Sequence, residues 1–517
     1  MNEPLILTFD MGTQSARALL VNPRGMILHK AQKPYEQPYY SKRPGWAEQR
    51  ADFYWESLCE ISRSLREKAG PLWNNISAVT CSTIRDTCLC LDKQRNPLRD
   101  VILWLDDRKA GELPPLSGFI ELFLKITGMR EGVELQRRVS ACNWIALNER
   151  DIWDRTDKFV FISAWLIYKF CGNLIDSNAS VIGHIPFDSK TRTWMRSNDI
   201  RRFIWADLGP DKLCALAEPG SVLGTITAQC SGETGIPAGL PLIATGSDKG
   251  CETLGLSCLS EDKAALSFGT TATVQFSTKK YLEPLPFMPA YPAVVKDYYN
   301  PEIEIYRGYW LLSWFKREFA AKEMAEAART GVNAEQLLDE RLKDIKPGCD
   351  GLILQPYFTP GIDMPHAKGA AIGFSDVHTR IHLYRAIIEG INFALMEGLR
   401  NMEKRGGIKI RELYVAGGGS KSEAICRITA SMFGLPVYRI QTYEAAGIGS
   451  SLAAFTAQGI FSSYEEGISE MVHIKDEFLP RREDHEIYEA IHERIFEKIF
   501  DKLSPLYGEI NDIVRRL

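Results

Sequence analysis

Asp248 stands between Gly246 and Gly250, directly after the apolar run 242–244. A carboxylate on a glycine-flanked turn at the end of a buried strand can lie near apolar walls and still accept a proton from an attacking hydroxyl. The same residues also suit an Asx turn or a helix N-cap. Asp10-Met11-Gly12-Thr13 closes a second apolar run. Its glycine lets backbone N–H groups approach phosphate oxygens, Thr13 adds a hydroxyl, and Asp10 is a hard oxygen donor for hydrated Mg²⁺; a purely structural turn reads the same way. Arg85-Asp86 sets a guanidinium beside a carboxylate, either to bind a polyhydroxylated molecule or as an exposed ion pair. Trp104 stands beside Asp106, Asp107 and Arg108, a combination found in sugar sites and at ordinary helix starts alike. Gly417-Gly418-Gly419-Ser420 lies between an apolar run and a helix start, where free N–H groups and the helix dipole favour an anion or nucleotide.

The elements that must position these residues follow from apolar patterning. Residues 5–10, 16–21 and 26–30 read as successive antiparallel strands, with the D-M-G-T turn at the first tip. Residues 264–267 and 272–276 repeat that logic around Phe268-Gly269-Thr270-Thr271, as an internal duplication would. Two such tips would clamp a chain of phosphates. Helices are predicted over 52–68, 159–170, from 310 to 319, and over 380–404; strands over 76–82, 88–92, 351–357, 370–374, 412–416 and 436–440. Residues 444–447 open a helix packed with small residues. A charged amphipathic helix over 483–503 should stop at Pro505, as a solvated element or the contact of a homodimer. His378 and His382, spaced i, i+4, lack an H-E-x-x-H partner and read as surface residues.

The 517 residues exceed one hydrophobic core and fit two large domains, at roughly 100–200 residues per domain. With 45% hydrophobic and 25% charged residues the composition is that of a soluble globular protein. A formal net charge of −4 gives no field for nucleic acid. The amino terminus carries no secretory pattern, no apolar stretch approaches a membrane span, and the 12 cysteines show no C-x-x-C, so a cytoplasmic protein without a membrane partner is expected.

Taken together, the motifs resemble the FGGY carbohydrate kinases. Asp10-Met11-Gly12-Thr13 with Arg17 resembles the family's D-x-G-T-x-x-x-R, and Trp104, Asp106 and Arg108 its W-x-D-x-R. Residues 246–248 are similar to the turn bearing its general base, Gly269-Thr270 to its second phosphate loop, and residues 417–422 to its adenosine loop, with Glu444-Ala445-Ala446-Gly447 after it. The resemblance spans residues 5 to about 458. It implies an α/β fold of two actin-like (ribonuclease H-like) domains, each a five-stranded mixed sheet flanked by helices, with an interdomain cleft. The domains would be 1–252, binding the acceptor and carrying the base; 253–480, binding nucleotide; and a helical tail at 481–517. It implies transfer of the γ-phosphoryl group of ATP, with Mg²⁺, to a hydroxyl of a small sugar or polyol, domain closure keeping water out.

By position the resemblance makes Asp248 the general base and Asp10 the metal residue. Thr13, Gln14, Arg17, Gly269 and Thr270 fall near the phosphates, Gly418, Gly419 and Ser422 near the adenosine, and Arg85, Asp86 and Trp104 at the acceptor. Lys249 departs from the amide or small residue of many relatives; it either touches the acceptor or phosphoryl group, faces solvent, or weakens the base by pairing with it. Ile84-Arg85-Asp86-Thr87 is nearer the Arg-Glu pair of glycerol kinases than the Met-His-Gly of xylulose kinases, whereas D-M-G-T-Q-S is not the glycerol kinase sequence. The competing reading is an actin-fold protein that binds or hydrolyses ATP and acts through a partner; a catalytically silent relative is a third.

Overall fold

A computed structural model describes residues 3–514 except 128, 206, 287, 360, 362, 363 and 365. The chain divides into two compact units. The first comprises residues 1–255, 291–298 and 444–472, and the second residues 256–290, 299–443 and 473–517.

The first unit is built on β1 (Leu5–Met11), β2 (Ser15–Val21), β3 (Ile27–Pro34), β4 (Ile76–Thr83), β5 (Val222–Thr225) and β6 (Pro241–Ile243), in the order β3-β2-β1-β4-β6-β5. The first three form an antiparallel meander, β4 and β6 run parallel to β1, and β5 returns antiparallel at the edge. Every residue of β1 is buried, as expected of a central strand covered on both faces. Helices α1 (Ala51–Ala69) and α2 (Ile162–Cys171) bury Trp55 and Phe170, whose rings meet edge-on at 5.4 Å. The short helix α3 (Asp248–Gly255) follows β6.

The second unit repeats this plan with β7 (Lys263–Phe268), β8 (Ala272–Gln275), β9 (Glu302–Ile305), β10 (Glu412–Ala416), β11 (Val437–Ile440) and β12 (Ile474–Phe478), ordered β9-β8-β7-β10-β11-β12. Parallel and antiparallel pairings match the first sheet strand for strand. Each sheet therefore has six strands, the expected five plus an antiparallel edge. The long helix α4 (Arg380–Gly406) buries Ile387, Ile391 and Leu395, and α5 (Glu423–Phe433) packs beside it. The fold is α/β and actin-like in both units.

Helix α6 (Ala445–Ala457) belongs to the first unit although its sequence follows β11. Its small residues permit near backbone contact with α3: a Cβ on Gly449 would lie 1.9 Å from the Cys251 carbonyl oxygen, and one on Gly255 1.9 Å from that of Ala445. No larger side chain fits at either position.

Four expectations are corrected. The run 159–170 is not one helix: Lys158–Phe161 is a strand paired antiparallel with Cys88–Leu91, and the helix begins at Ile162. Phe-Val-Phe suits a pleated surface better than a helical turn. Pro505 does not end the tail, because it lies inside α8 (Glu497–Val514), which follows α7 (Arg482–Ile491) through the π-helical turn His492–Phe496. Pro505 and Asp501 are both exposed, so water can serve the carbonyl that proline leaves unbonded. Nor is the tail merely solvated. Tyr488 and His492 are fully buried, Tyr488 Oη donates to Glu389 at 2.7 Å, and Glu389 pairs with Arg385 at 2.7 Å. His382 is likewise no surface residue: 8% exposed, it closes the capping box of α4 with Thr379. No helix among the described residues is long and apolar enough to cross a membrane.

Candidate functional site

The β1–β2 tip places Asp10 opposite Arg17 in the ladder, and Arg17 Nη1 donates to Asp10 Oδ2 at 2.9 Å. Burial pushes the Asp10 carboxyl up to about 6 against the opposing pull of Arg17, and the negative charges of Asp248 and Glu444 add to the rise. Glu444, at the start of α6, lies 3.5 Å from Arg17 Nε and also pairs with Lys30. A buried carboxylate whose proton affinity stays raised beside Arg17, with Asp248 and Glu444 adding negative field, fits a divalent cation. Mg²⁺ suits the donor set, since it takes one or two carboxylates and keeps several waters; among the described residues no three His, Cys, Asp or Glu side chains form a complete metal cage. At the tip itself Gln14 is exposed, and Thr13 Oγ1 accepts a 2.9 Å hydrogen bond from Trp104 Nε1.

Trp104 is held there by the rest of its motif. Asp106 accepts from the backbone N–H of Ala47 at 2.6 Å and from Arg108 Nη2 at 2.6 Å. The buried Arg108 also lies 3.0 Å from Glu48 and packs on the edge-on pair Trp46 and Trp144, its Cζ 3.9 and 4.7 Å from the centres of their rings. Asp106 and Arg108 thus fix the loop and leave the indole to reach Thr13.

Asp248 is the first residue of α3, and the preceding Ser247 accepts from the Gly250 N–H at 3.2 Å in the manner of an N-cap. The Lys249 N–H donates to Asp248 Oδ1 at 2.8 Å and orients the carboxyl group. Burial raises its proton affinity, opposed first by Arg85 and then by Lys249. Arg85 Nε lies 3.9 Å from Asp248 Oδ1 and donates to Ser247 Oγ at 3.2 Å. The Lys249 ammonium sits 3.2 Å from Glu252.

Asp86 is occupied by a residue the sequence did not single out. Its Oδ1 accepts from the backbone N–H of His184 at 3.0 Å and its Oδ2 lies 2.6 Å from His184 Nδ1. Burial raises the Asp86 carboxyl, but the field and hydrogen bonds of His184 prevail and hold it below the usual carboxylate range. Asp86 adopts a left-handed φ of 42°, and a Cβ on Gly183 would come within 2.2 Å of its Oδ1. Nothing local in the sequence points to this contact, 98 residues apart. Ser247 was missed as well, the cap having been read at Asp248, though a serine just ahead of a helix start is a signal that could have found it. The loop bearing His184 follows the short strand Ile175–Ser177, whose Asp176 carboxyl burial pushes up to about 7 while Ser163 donates to it at 2.6 Å.

In the second unit, the β7–β8 tip carries Gly269 and the exposed Thr270, and the Gly269 carbonyl accepts from the Tyr309 N–H at 3.1 Å. Gly417 has a φ of 83°, and a Cβ there would lie 2.7 Å from the Phe268 carbonyl carbon. Gly419 is pressed on Tyr309, whose ring stacks on Phe268 at 4.7 Å. Gly418 is exposed, and a Cβ there would meet nothing within 4 Å. This open backbone between two anchored glycines fits a nucleotide. Ser422 Oγ accepts from the Ile425 N–H at 3.2 Å and so caps α5.

The chain matches the model of the FGGY family of carbohydrate kinases, N-terminal domain, over residues 5–255, and that of the C-terminal domain over residues 264–458. It is 24% identical to the uncharacterized sugar kinase YgcE of Escherichia coli (strain K12), over 95% of this chain and 92% of that one. It is 26% identical to the xylulose kinase of Bacillus subtilis (strain 168), over 94% and 95%. The crystal structure of ligand-bound xylulose kinase from Lactobacillus acidophilus matches with a TM-score of 0.83 at 20% identity, covering 98% of this chain and all of that one, a likeness of fold.

Proposed function

Because the chain belongs to the FGGY family of carbohydrate kinases, and is therefore a phosphotransferase with an alcohol group as acceptor, we propose that it moves the γ-phosphoryl group of ATP to a hydroxyl of a small ketose, such as a pentulose, or of a polyol such as glycerol. The observation that carries this reading is Asp248: a buried carboxyl group of raised proton affinity, oriented by the Lys249 N–H and 3.9 Å from the Arg85 guanidinium.

In the proposed reaction Asp248 accepts the proton of the acceptor hydroxyl as its oxygen attacks. Arg85 and Trp104 hold the acceptor, and Asp86 acts by orienting His184. Lys249, paired with Glu252, supplies positive charge at the same turn. Thr13, Gln14, Arg17, Gly269 and Thr270 attend the phosphates. Gly418 and Gly419 line the adenosine, while Ser422 fixes the helix start beside it. Asp10 would hold Mg²⁺, which when bound neutralises phosphate charge. Phosphoryl transfer asks mainly for such alignment and neutralisation. In this reading the first unit, with its inserted residues 291–298 and 444–472, serves acceptor and base, and the second serves the adenosine.

The test is a panel of ketoses and alditols with ADP release as the readout. Acceptor-dependent release is expected, and Asp248→Asn should lose at least about a hundredfold in kcat with ATP binding retained. ADP release indifferent to every acceptor would favour an ATPase working through a partner.

A further inference from the structure

The segment Tyr291–Tyr298 lies in sequence between β8 and β9, two strands of the second sheet, yet it packs as part of the first unit. It attaches at three places. The Arg85 guanidinium carbon sits 5.2 Å from the centre of the Tyr291 ring. Val294 Cγ2 lies 2.8 Å from where a Cβ on Gly246 would be, so it is seated on the turn that presents Asp248. Asp297 Oδ1 accepts from Arg192 Nη1 at 2.7 Å. The Ala293 N–H donates to the Tyr298 carbonyl at 3.0 Å, closing the segment on itself.

We infer that Tyr291 is a positioning residue that sets the Arg85 fork for the acceptor, and that residues 291–298 form a strap tying this fork to the Asp248 turn. The inference rests on the proposed acceptor role of Arg85. A guanidinium is attracted to an aromatic face, and stacking there leaves its N–H groups pointing outward in the plane. Those in-plane donors are the ones that match paired oxygens. In this chain Ser247 fixes the inner edge of the fork through Nε at 3.2 Å, and Tyr291 fixes its face. The Arg85 side chain is only 15% exposed. With two walls set, a hydroxylated acceptor meets a preformed donor array and does not have to order a long flexible side chain.

The test measures KM for the best acceptor of the panel and KM for ATP in Tyr291→Ala, Tyr291→Phe, Arg85→Ala and the double variant Arg85→Ala/Tyr291→Ala, with Tm as a check on folding. Tyr291→Ala should raise the acceptor KM about tenfold and leave the ATP KM within about twofold. Tyr291→Phe, which keeps the ring face, should restore wild-type values, and the double variant should be no worse than Arg85→Ala. An unchanged acceptor KM in Tyr291→Ala, while Arg85→Ala raises it, overturns the inference alone. Failure of Arg85→Ala to raise it overturns the acceptor role of Arg85 together with the inference. Equal rises in both KM values for Tyr291→Ala, or a Tyr291→Phe variant as impaired as the alanine one, overturn the positioning role as well.

Discussion

The two hairpin tips share a backbone plan and differ in charge. Two residues before Gly12 stands Asp10, paired across the ladder with Arg17; two residues before Gly269 stands Ser267, paired with Thr273. Both positions are buried, Asp10 at 8% and Ser267 at 2% exposure. The first tip therefore keeps a carboxylate and a guanidinium where the second keeps two hydroxyls. The repeated backbone plan keeps a glycine and threonine tip in both units, while the side chains at one register position decide whether that tip also carries a carboxylate suited to a cation.

Breaking the charged tip should have the largest effect. Asp10→Asn is expected to lower kcat about a thousandfold or more, against less than about twofold for Ser267→Ala, in the same ADP-release assay. Comparable losses in the two variants would erase the distinction. At intermediate size, Thr13→Val and Thr270→Val should each cost about tenfold in kcat/KM for ATP, since both tips offer a threonine hydroxyl to phosphate oxygens.

The charged tip also carries a stability cost that the neutral one lacks. The Asp10 carboxyl is raised to about 6, so the folded state holds its proton over a pH range in which the unfolded chain has released it. Its contribution is thus fully favourable below the ordinary carboxylate range and is lost as pH rises through 6. Without ligands, Asp10→Asn should raise Tm above wild type at pH 7.5, by the equivalent of about 1–3 kcal/mol, with the difference vanishing near pH 4. Thermal unfolding at the two pH values checks this, and a lower Tm for Asp10→Asn at pH 7.5 would count against it. The smallest structural effect belongs to Gly418→Ala. Because a Cβ there meets nothing, Tm should stay within about 1 °C while KM for ATP rises severalfold, whereas Gly417→Ala, strained at a φ of 83°, should unfold earlier.

The first meander and the first hairpin of the second were legible in the sequence because apolar runs around glycine tips are local signals, as was the strand, glycine run and helix of residues 412–433, whereas the third strand of the second meander, β9, was missed. The apolar run 159–170 was ambiguous, since Phe-Val-Phe fits a buried strand or a buried helix until its partner Cys88–Leu91 is known. Pro505 misled because proline disfavours a helix interior, yet the chain stays helical through it, with Pro505 and Asp501 exposed so that water can take the carbonyl left unbonded. At the site, Asp10, Asp248 and Arg85 announced themselves by residue type and setting. The roles of His184 and Tyr291 depend on contacts with residues far away in the chain, which no periodicity encodes.

The first unit is stitched from three separate lengths of polypeptide, the last ending at Val472. A ribosome working from the amino terminus therefore releases α3 long before α6, the helix its glycine was kept small to receive, exists. Until residues 445–457 emerge, the glycine-lined face of α3 that receives α6 stays unpacked. A chain cut short before Ala445 should for that reason lose α6 from the first unit and β12 from the second at once.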